Sequence, residues 1–306
     1  MPTALKIQEW IDQQLKSDPP RAKSLVMTVF GDAIAPHGGS IWLGSLISLM
    51  GHFEISDRLV RTSVFRLAEE GWLEARRDGR RSSYQLAESS YARLQHAYKR
   101  VYASQNTDWD QHWTLLIMNS DDNVAGNRAS LKKELSWAGF RMINTGIFAH
   151  PQADMTVLED ILKRSGLTDQ LIICNAADNE KIQGRPLSSL IATHWQLDEV
   201  NASYQHFIAT FSPLSALLDR HKLTEQAAFT IRSLLIHSFR RAQLYDPHLP
   251  VSLRPNGWMG EQAYLLCRQL YQTCMAPAEE LLKMALDQDY RAEAGPHLQK
   301  RFEIPV

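Results

Sequence analysis

The sequence predicts a multidomain α+β chain: a winged helix-turn-helix first, a ferredoxin-like α+β domain in the middle and an all-α domain last. Three observations carry this reading. Residues 21–104 show helix signals interrupted by one Asp-Gly hairpin, residues 113–174 switch to short apolar runs alternating with helical periodicity, and helical periodicity dominates from Pro186 onward. The expected domains are 1–104, 105–185 and 186–306, and 306 residues suffice for two or three separate apolar cores. No staple is expected, because Cys174, Cys267 and Cys274 have no CxxC spacing and fit a reducing compartment as buried thiols.

The elements follow in order. Ile7, Trp10, Ile11 and Leu15 recur at helical spacing, marking an amphipathic helix suited to packing on a neighbouring domain or a second subunit. Leu25, Val26, Val29, Phe30 and Ala33 form the next helical stripe, broken by Pro36 and Gly38-Gly39. Leu43, Leu46, Ile47 and Met50 form another, with Gly51 at its end. In the third helix of this unit Ser56 is the N-cap, Asp57 complements the dipole and Gly71 closes the run. With Val60, Val64 and Leu67 inward, Arg58, Arg61, Thr62 and Arg66 face outward.

The segment GWLEARRDGRRSSYQL reads as a hairpin whose turn is Asp78-Gly79, the dipeptide that tolerates two positive φ angles. That turn pairs Arg77 with Arg80 and sets Leu73 opposite Tyr84 on the buried face, leaving Arg76, Arg77, Arg80 and Arg81 crowded at the tip. Like charges so close repel, so a negatively charged partner explains them economically. Net charge over the whole chain is only −1, but residues 1–104 carry 14 Lys+Arg against 11 Asp+Glu while the remainder is net acidic.

Tyr91, Leu94, Tyr98 and Val101 share one face of a helix leading out of this unit, and NTDWDQHW reads as a linker. Strands at Trp113–Met118, Thr145–Ala149 and Gln170–Cys174 alternate with helices at Ala129–Ala138 and Thr156–Ser165, the pattern of one helix layer on a sheet. In the last domain Trp195, Val200, Tyr204, Phe207 and Phe211 make an apolar face that Pro213 interrupts, and Phe229, Leu234, Leu235 and Phe239 make another. Asp246-Pro247 stops that second helix, and Pro250, Pro255 and Gly257 shape a rigid loop after it.

An arginine-bearing helix beside an arginine-tipped ribbon has a definite chemistry. A helix fits the major groove, where Arg61 can donate twice to a guanine and Thr62 can meet a base edge or a thymine methyl, with Arg58 and Arg66 nearer phosphates. Arg76, Arg77, Arg80 and Arg81 would grip the backbone or enter a minor groove of double-stranded DNA. The competing reading is a solvated surface on which Glu69, Glu70, Glu74 and Asp78 balance these cations. A third reading is a winged helix used as a protein-interaction module.

The segments GGSIWLGSLISLM, VRTSVFRLAEEGWLEARRDGRRSSYQL, LSWAGF and IHSFRRAQLYDPHLP resemble the PaaX-type repressors of phenylacetate catabolism, and the resemblance runs from about Ser24 to Met275. It implies a winged-helix domain, a central domain like the small CRISPR-associated nuclease fold, and a helical third domain. It also implies a homodimeric transcriptional repressor released from DNA by an acyl-CoA effector, phenylacetyl-CoA; two recognition helices on a two-fold axis would read an inverted-repeat operator. Such a ligand needs cations for its phosphates and an apolar slot for its ring. His237, Arg240 and Arg241 within one helical turn, with Trp258 in the following loop, are the candidates, although an Arg pair on a helix also suits acids such as Asp246 or a domain neighbour, and His237 alone equally suits a hydrogen-bonded core position.

Enzyme chemistry finds little foothold. HExxH, GxSxG, Walker and Rossmann patterns are absent, the 11 histidines lack ligand spacing, and no catalytic cofactor or metal is expected. The one enzymatic alternative is a metal-dependent nuclease through Asp121 and Asp122, adjacent carboxylates that ordinary turn chemistry also explains. No run approaches the length of a membrane span and no secretion signal opens the sequence, so a cytoplasmic location is expected.

Overall fold

The computed structural model describes residues 3–79, 81–102, 108–118, 125–179, 181–182, 184–218, 223–286 and 301–302. The protein is a mixed α+β chain, and its described residues form two small antiparallel sheets, one three-stranded and one four-stranded. Its contacts define two compact units, one of residues 1–104, 204–241 and 260–306, the other of residues 105–203 and 242–259.

The first unit opens with α1 (Thr3–Ser17), whose Ile7, Ile11 and Leu15 are buried and whose Trp10 ring lies 5.5 Å from that of Phe211. Helix α2 (Ala22–Val29) continues through a π-turn at Phe30–Ile34 and a 3₁₀ turn at Ala35–His37, where Pro36 and the left-handed Gly38 end it. Strand β1 (Ser40–Trp42), which the hydrophobic pattern does not announce, follows in GGSIW. Next come α3 (Leu43–Gly51) and α4 (Asp57–Glu69). Ser56 caps α4 by accepting from the Leu59 N–H at 3.4 Å, and Gly71 leaves it at φ 71°. Val60, Val64 and Leu67 are buried as their spacing requires.

Strands β2 (Leu73–Asp78) and β3 (Arg81–Leu86) form the hairpin in a register that differs from the expected one. Asp78 pairs with Arg81, so Asp78 belongs to the ladder and the turn is not Asp78-Gly79; Gly79 takes φ 56°. Leu73 therefore faces Leu86, while Tyr84 pairs with Ala75 on one side and with Ile41 of β1 on the other. The shift is two residues, so every side chain keeps its face. The third strand and the burial of Leu86 favour the longer ladder. Helix α5 (Tyr91–Tyr102) leaves the sheet.

The second unit contains β4 (Trp113–Met118), α6 (Ala125–Trp137), β5 (Arg141–Asn144), β6 (Ile147–His150), α7 (Met155–Ser165) and β7 (Leu171–Ala176). The single strand expected at Thr145–Ala149 is thus a hairpin, β5 and β6, folded at Thr145-Gly146. Gly146 takes φ 74°, and an added Cβ would stand 2.8 Å from the Met118 carbonyl. The sheet order is β5-β6-β4-β7, all antiparallel. Leu131 and Leu135 of α6 and Leu158, Ile161 and Leu162 of α7 cover one face through Leu116 and Phe148. The other face, Trp113 and Ala149, is covered by Ile191 of the short α8 (Ile191–His194), by Trp195 and by Leu249.

Among the described residues three long helices follow: α9 (Leu197–Leu218), α10 (Glu225–Gln243) and α11 (Gly260–Leu286). Pro213 does not interrupt α9 as its type suggests. It lies on the exposed side, where the carbonyl it leaves unpaired can meet water, while Phe207, Phe211, Leu214 and Leu218 carry the buried stripe past it. The α10 helix ends before Asp246-Pro247 as expected.

Candidate nucleic-acid interface

Packing of α4 through Val60, Val64 and Leu67 turns Arg58, Arg61, Thr62 and Arg66 to solvent, all four exposed. They are not idle there. Arg61 pairs with Asp57 one turn back, its Nη2 lying 3.3 Å from Oδ2, and Thr62 Oγ1 donates to the Arg58 carbonyl at 2.9 Å. An exposed i,i+4 pair is worth only a few tenths of a kcal/mol. A stronger acceptor can therefore draw Arg61 away at small cost. The same surface holds two residues that sequence reasoning passed over, Leu59 and Phe65, which are 52% and 60% exposed. Their signal was visible as apolar side chains falling outside the Val60–Val64–Leu67 stripe.

The hairpin divides its arginines. Because side chains alternate, Arg76 and Arg81 share one face and Arg77 the other, the face of Leu73 and Leu86. Arg81 lies over the Trp42 ring of β1, 5.9 Å from its centroid, and Arg76 and Arg77 are exposed. Arg80 lies outside the described residues. Of the acids set against these cations, Glu70 pairs with Lys23, and Glu74 accepts from Gln85 Nε2 at 3.3 Å. Neither Glu70 nor Glu74 neutralises an arginine in these contacts.

The ligand candidates behave differently from one another. His237 is buried on α10, its Nδ1 3.0 Å from Thr28 Oγ1 of α2, and burial, helped by Arg240 and Arg241, holds its pKa down to about 3. It is a neutral core residue that joins two helices and offers no cation. Arg241 is exposed and lies 3.5 Å from Asp18. Arg240 lines a cavity of about 30 Å³ together with Gly31, Asp32, Leu94, Tyr98 and Tyr102, and burial lowers its pKa. Trp258 belongs to the second unit, where it packs against the Trp113–Trp195 cluster. Asp121 and Asp122 lie outside the described residues. Among the described residues no three His, Cys, Asp or Glu side chains are grouped to hold a metal ion.

Sequence reasoning missed the polar centre of the first unit altogether. Asp32, in the π-turn after α2, is 3% exposed and accepts from Arg232 Nε of α10 at 2.8 Å and from Arg301 Nη1 at 2.9 Å. Two hydroxyls, from Tyr102 at 2.5 Å and Tyr271 at 3.0 Å, donate to its Oδ1. Arg232 also reaches Glu279 of α11 at 2.6 Å, and Glu279 Oε2 lies 2.7 Å from His37 Nε2. Burial opposes ionisation of Glu279, but His37 and Arg232 outweigh it and hold the carboxyl at about 2. Two carboxylates thus face two guanidiniums inside an apolar core. The only hint in the sequence was a charge at an inward position of two apolar runs, VFGDAIA and FTIRSLLI.

Comparison with known proteins decides the family. Family models match three segments: a PaaX-like protein over residues 21–90, a PaaX protein central Cas2-like domain over 106–187, and a PaaX-like protein C-terminal domain over 195–284. The chain belongs to the PaaX family. It is 36% identical over 275 residues to the transcriptional repressor PaaX of Escherichia coli (strain K12), covering 89% of this chain and 86% of that relative. That relative is named as a transcriptional repressor. In fold the chain is similar to the uncharacterized protein Rv0674 from Mycobacterium tuberculosis, with a TM-score of 0.53, 19% identity, and coverage of 85% of this chain and 98% of that one. Among the described residues no helix of this PaaX-family chain is long and apolar enough to cross a membrane.

Proposed function

We propose that this chain is a transcriptional repressor of a phenylacetate catabolic operon, bound as a homodimer to an inverted-repeat operator and released by phenylacetyl-CoA. The observation that carries the reading is α4: a capped, exposed helix with Arg58, Arg61, Thr62 and Arg66 outward, beside a three-stranded sheet whose hairpin bears further arginines. Helices α2, α3 and α4 followed by β2 and β3 are the winged helix-turn-helix arrangement, with α4 as the recognition helix and the hairpin as the wing. The β-α-β-β-α-β order of the second unit, with strands arranged β5-β6-β4-β7, is the ferredoxin-like arrangement. We assign the domains as 1–104, 105–185 and 186–306.

Arg61 and Thr62 would read bases, Arg58 and Arg66 would meet phosphates, and Arg76, Arg77, Arg80 and Arg81 would hold the backbone. Phe65 adds an exposed ring on the reading face, suited to a thymine methyl. Two recognition helices related by a two-fold axis would read half-sites about one or two helical turns apart, 10–10.5 bp each. The test is a titration of the protein–promoter complex with phenylacetyl-CoA, phenylacetate and coenzyme A separately. Release by the thioester alone is the expected result. A protein that prefers no promoter fragment to random duplex at any salt concentration would overturn the reading.

A further inference from the structure

Phe302 is fully buried in the first unit, although its stretch, KRFEIPV, has neither helical nor strand periodicity. Its ring is surrounded by aromatic neighbours: centroids lie 5.1 Å from Tyr102, 5.4 Å from Tyr264 and 5.2 Å from Tyr271. The backbone is fixed too. The Phe302 N–H donates to the Tyr102 carbonyl at 3.2 Å, an acceptor shared with the Tyr264 hydroxyl at 3.0 Å, and φ is 58°, a left-handed conformation that a bulky residue takes only when its surroundings impose it. Arg301 completes the arrangement, its guanidinium 4.8 Å and 5.0 Å from the centroids of Tyr98 and Tyr102 and bonded to the Asp32 carbonyl at 2.7 Å. Arg301 and Phe302 fill this socket as a bound dipeptide would, a ring in an aromatic cage and a cation on a carboxylate.

Tyr98 and Tyr102 also wall the cavity that Arg240 lines. Arg240 Nε is buried there and has no hydrogen-bond partner among the described residues, an arrangement that costs free energy until an acceptor arrives. At about 30 Å³ the cavity holds one water and no aryl group. Space for a ring exists where Phe302 now sits.

We propose that the Tyr102–Tyr264–Tyr271 socket is the aryl subsite of the effector, and that Phe302, whose side chain is itself a benzyl group, occupies it in cis until an arylacetyl thioester displaces it. The inference rests on the reading of the chain as a repressor responsive to phenylacetyl-CoA. Arg240 then supplies a donor for the ligand's carbonyl. Displacement of Phe302 also pulls Arg301 from Asp32 and from the α5 tyrosines, so it loosens the segment after α2 and the helix that leaves the β2–β3 hairpin.

Self-competition of this kind lowers apparent affinity by the fraction of molecules whose socket is vacant. Isothermal titration of the full chain with phenylacetyl-CoA, with coenzyme A alone as control, therefore tests it in the wild-type protein and in Phe302→Ala, which keeps Arg301 and the buried charge balance. The expected result is at least about tenfold tighter binding of the thioester by the variant, and competition when a peptide of residues 298–306 is added back. Should Phe302→Ala fail to fold by circular dichroism, Phe302→Leu retains apolar volume without the ring and is expected to shift affinity in the same direction. Binding by the wild type with equal or weaker binding by a folded variant, or no competition by the peptide, overturns the socket and leaves the effector reading standing. Absence of thioester binding by both proteins overturns that reading and the socket with it.

Discussion

A single buried histidine shows how closely chemistry at one position follows its surroundings. His237 shares a helical turn with two arginines, yet burial and those same cations hold it neutral down to about pH 3 while it bonds to Thr28. The unfolded chain protonates the same ring near pH 6.5. The folded pKa is thus depressed, so the stability it reflects is complete above pH 6.5 and is lost as pH falls from there toward 3. Urea midpoints measured across that range should decline for the wild type and decline less for His237→Gln, which keeps a polar partner for Thr28 without the titration. Equal slopes for the two proteins would remove His237 as the source. Arg61 illustrates the opposite case: exposed and paired with Asp57 one turn back, it remains available to a partner.

At the scale of elements, helix α4 and the β2–β3 hairpin present different chemistry because their backbones differ. A capped helix with a buried stripe offers a rigid row of side chains at groove spacing, whereas a two-stranded ribbon sends its arginines to opposite faces. The proposed reading gives them different labour on DNA. Arg61→Ala is expected to relax sequence preference, costing about 1–3 kcal/mol at one base pair, whereas Arg81→Ala should weaken binding to specific and random duplexes alike and reduce the salt slope by about one. Equal losses for both variants, measured by fluorescence anisotropy on promoter and scrambled DNA, would refute the division. Exposed Leu59 and Phe65 fit the same surface, since a helix that needed only phosphates would have no use for them there.

At the scale of the molecule, the first unit is held by charge as well as by apolar packing. Asp32, Arg232, Glu279 and Arg301 come from four segments far apart in sequence and meet with almost no solvent. Taking charges out of water is costly, and each partner is tolerated because the others are present. Arg232→Ala leaves two buried carboxylates facing one arginine and should cost about 3–5 kcal/mol of stability by denaturant unfolding. Combining it with Asp32→Asn should recover part of that loss, because the two residues share one network. A loss below about 1 kcal/mol would mean that water reaches the site and that the network does not bind these helices together.

Periodicity and punctuation alone located most helices and strands, because apolar spacing and caps such as Ser56 act within a few residues. The outward face of α4 was equally legible, since burying Val60, Val64 and Leu67 leaves Arg58, Arg61 and Thr62 no other direction. Register, by contrast, was settled by a neighbour: pairing of β1 with β3 and burial of Leu86 go with a ladder extended to the Asp78–Arg81 pair. Tertiary packing likewise carried α9 through Pro213, split one expected strand into β5 and β6, and turned His237 from a candidate cation into a core residue. Local sequence determines which elements form and which face they bury. Only the folded chain decides which distant residues meet, and so it alone places Phe302 in an aromatic cage and Arg301 on Asp32.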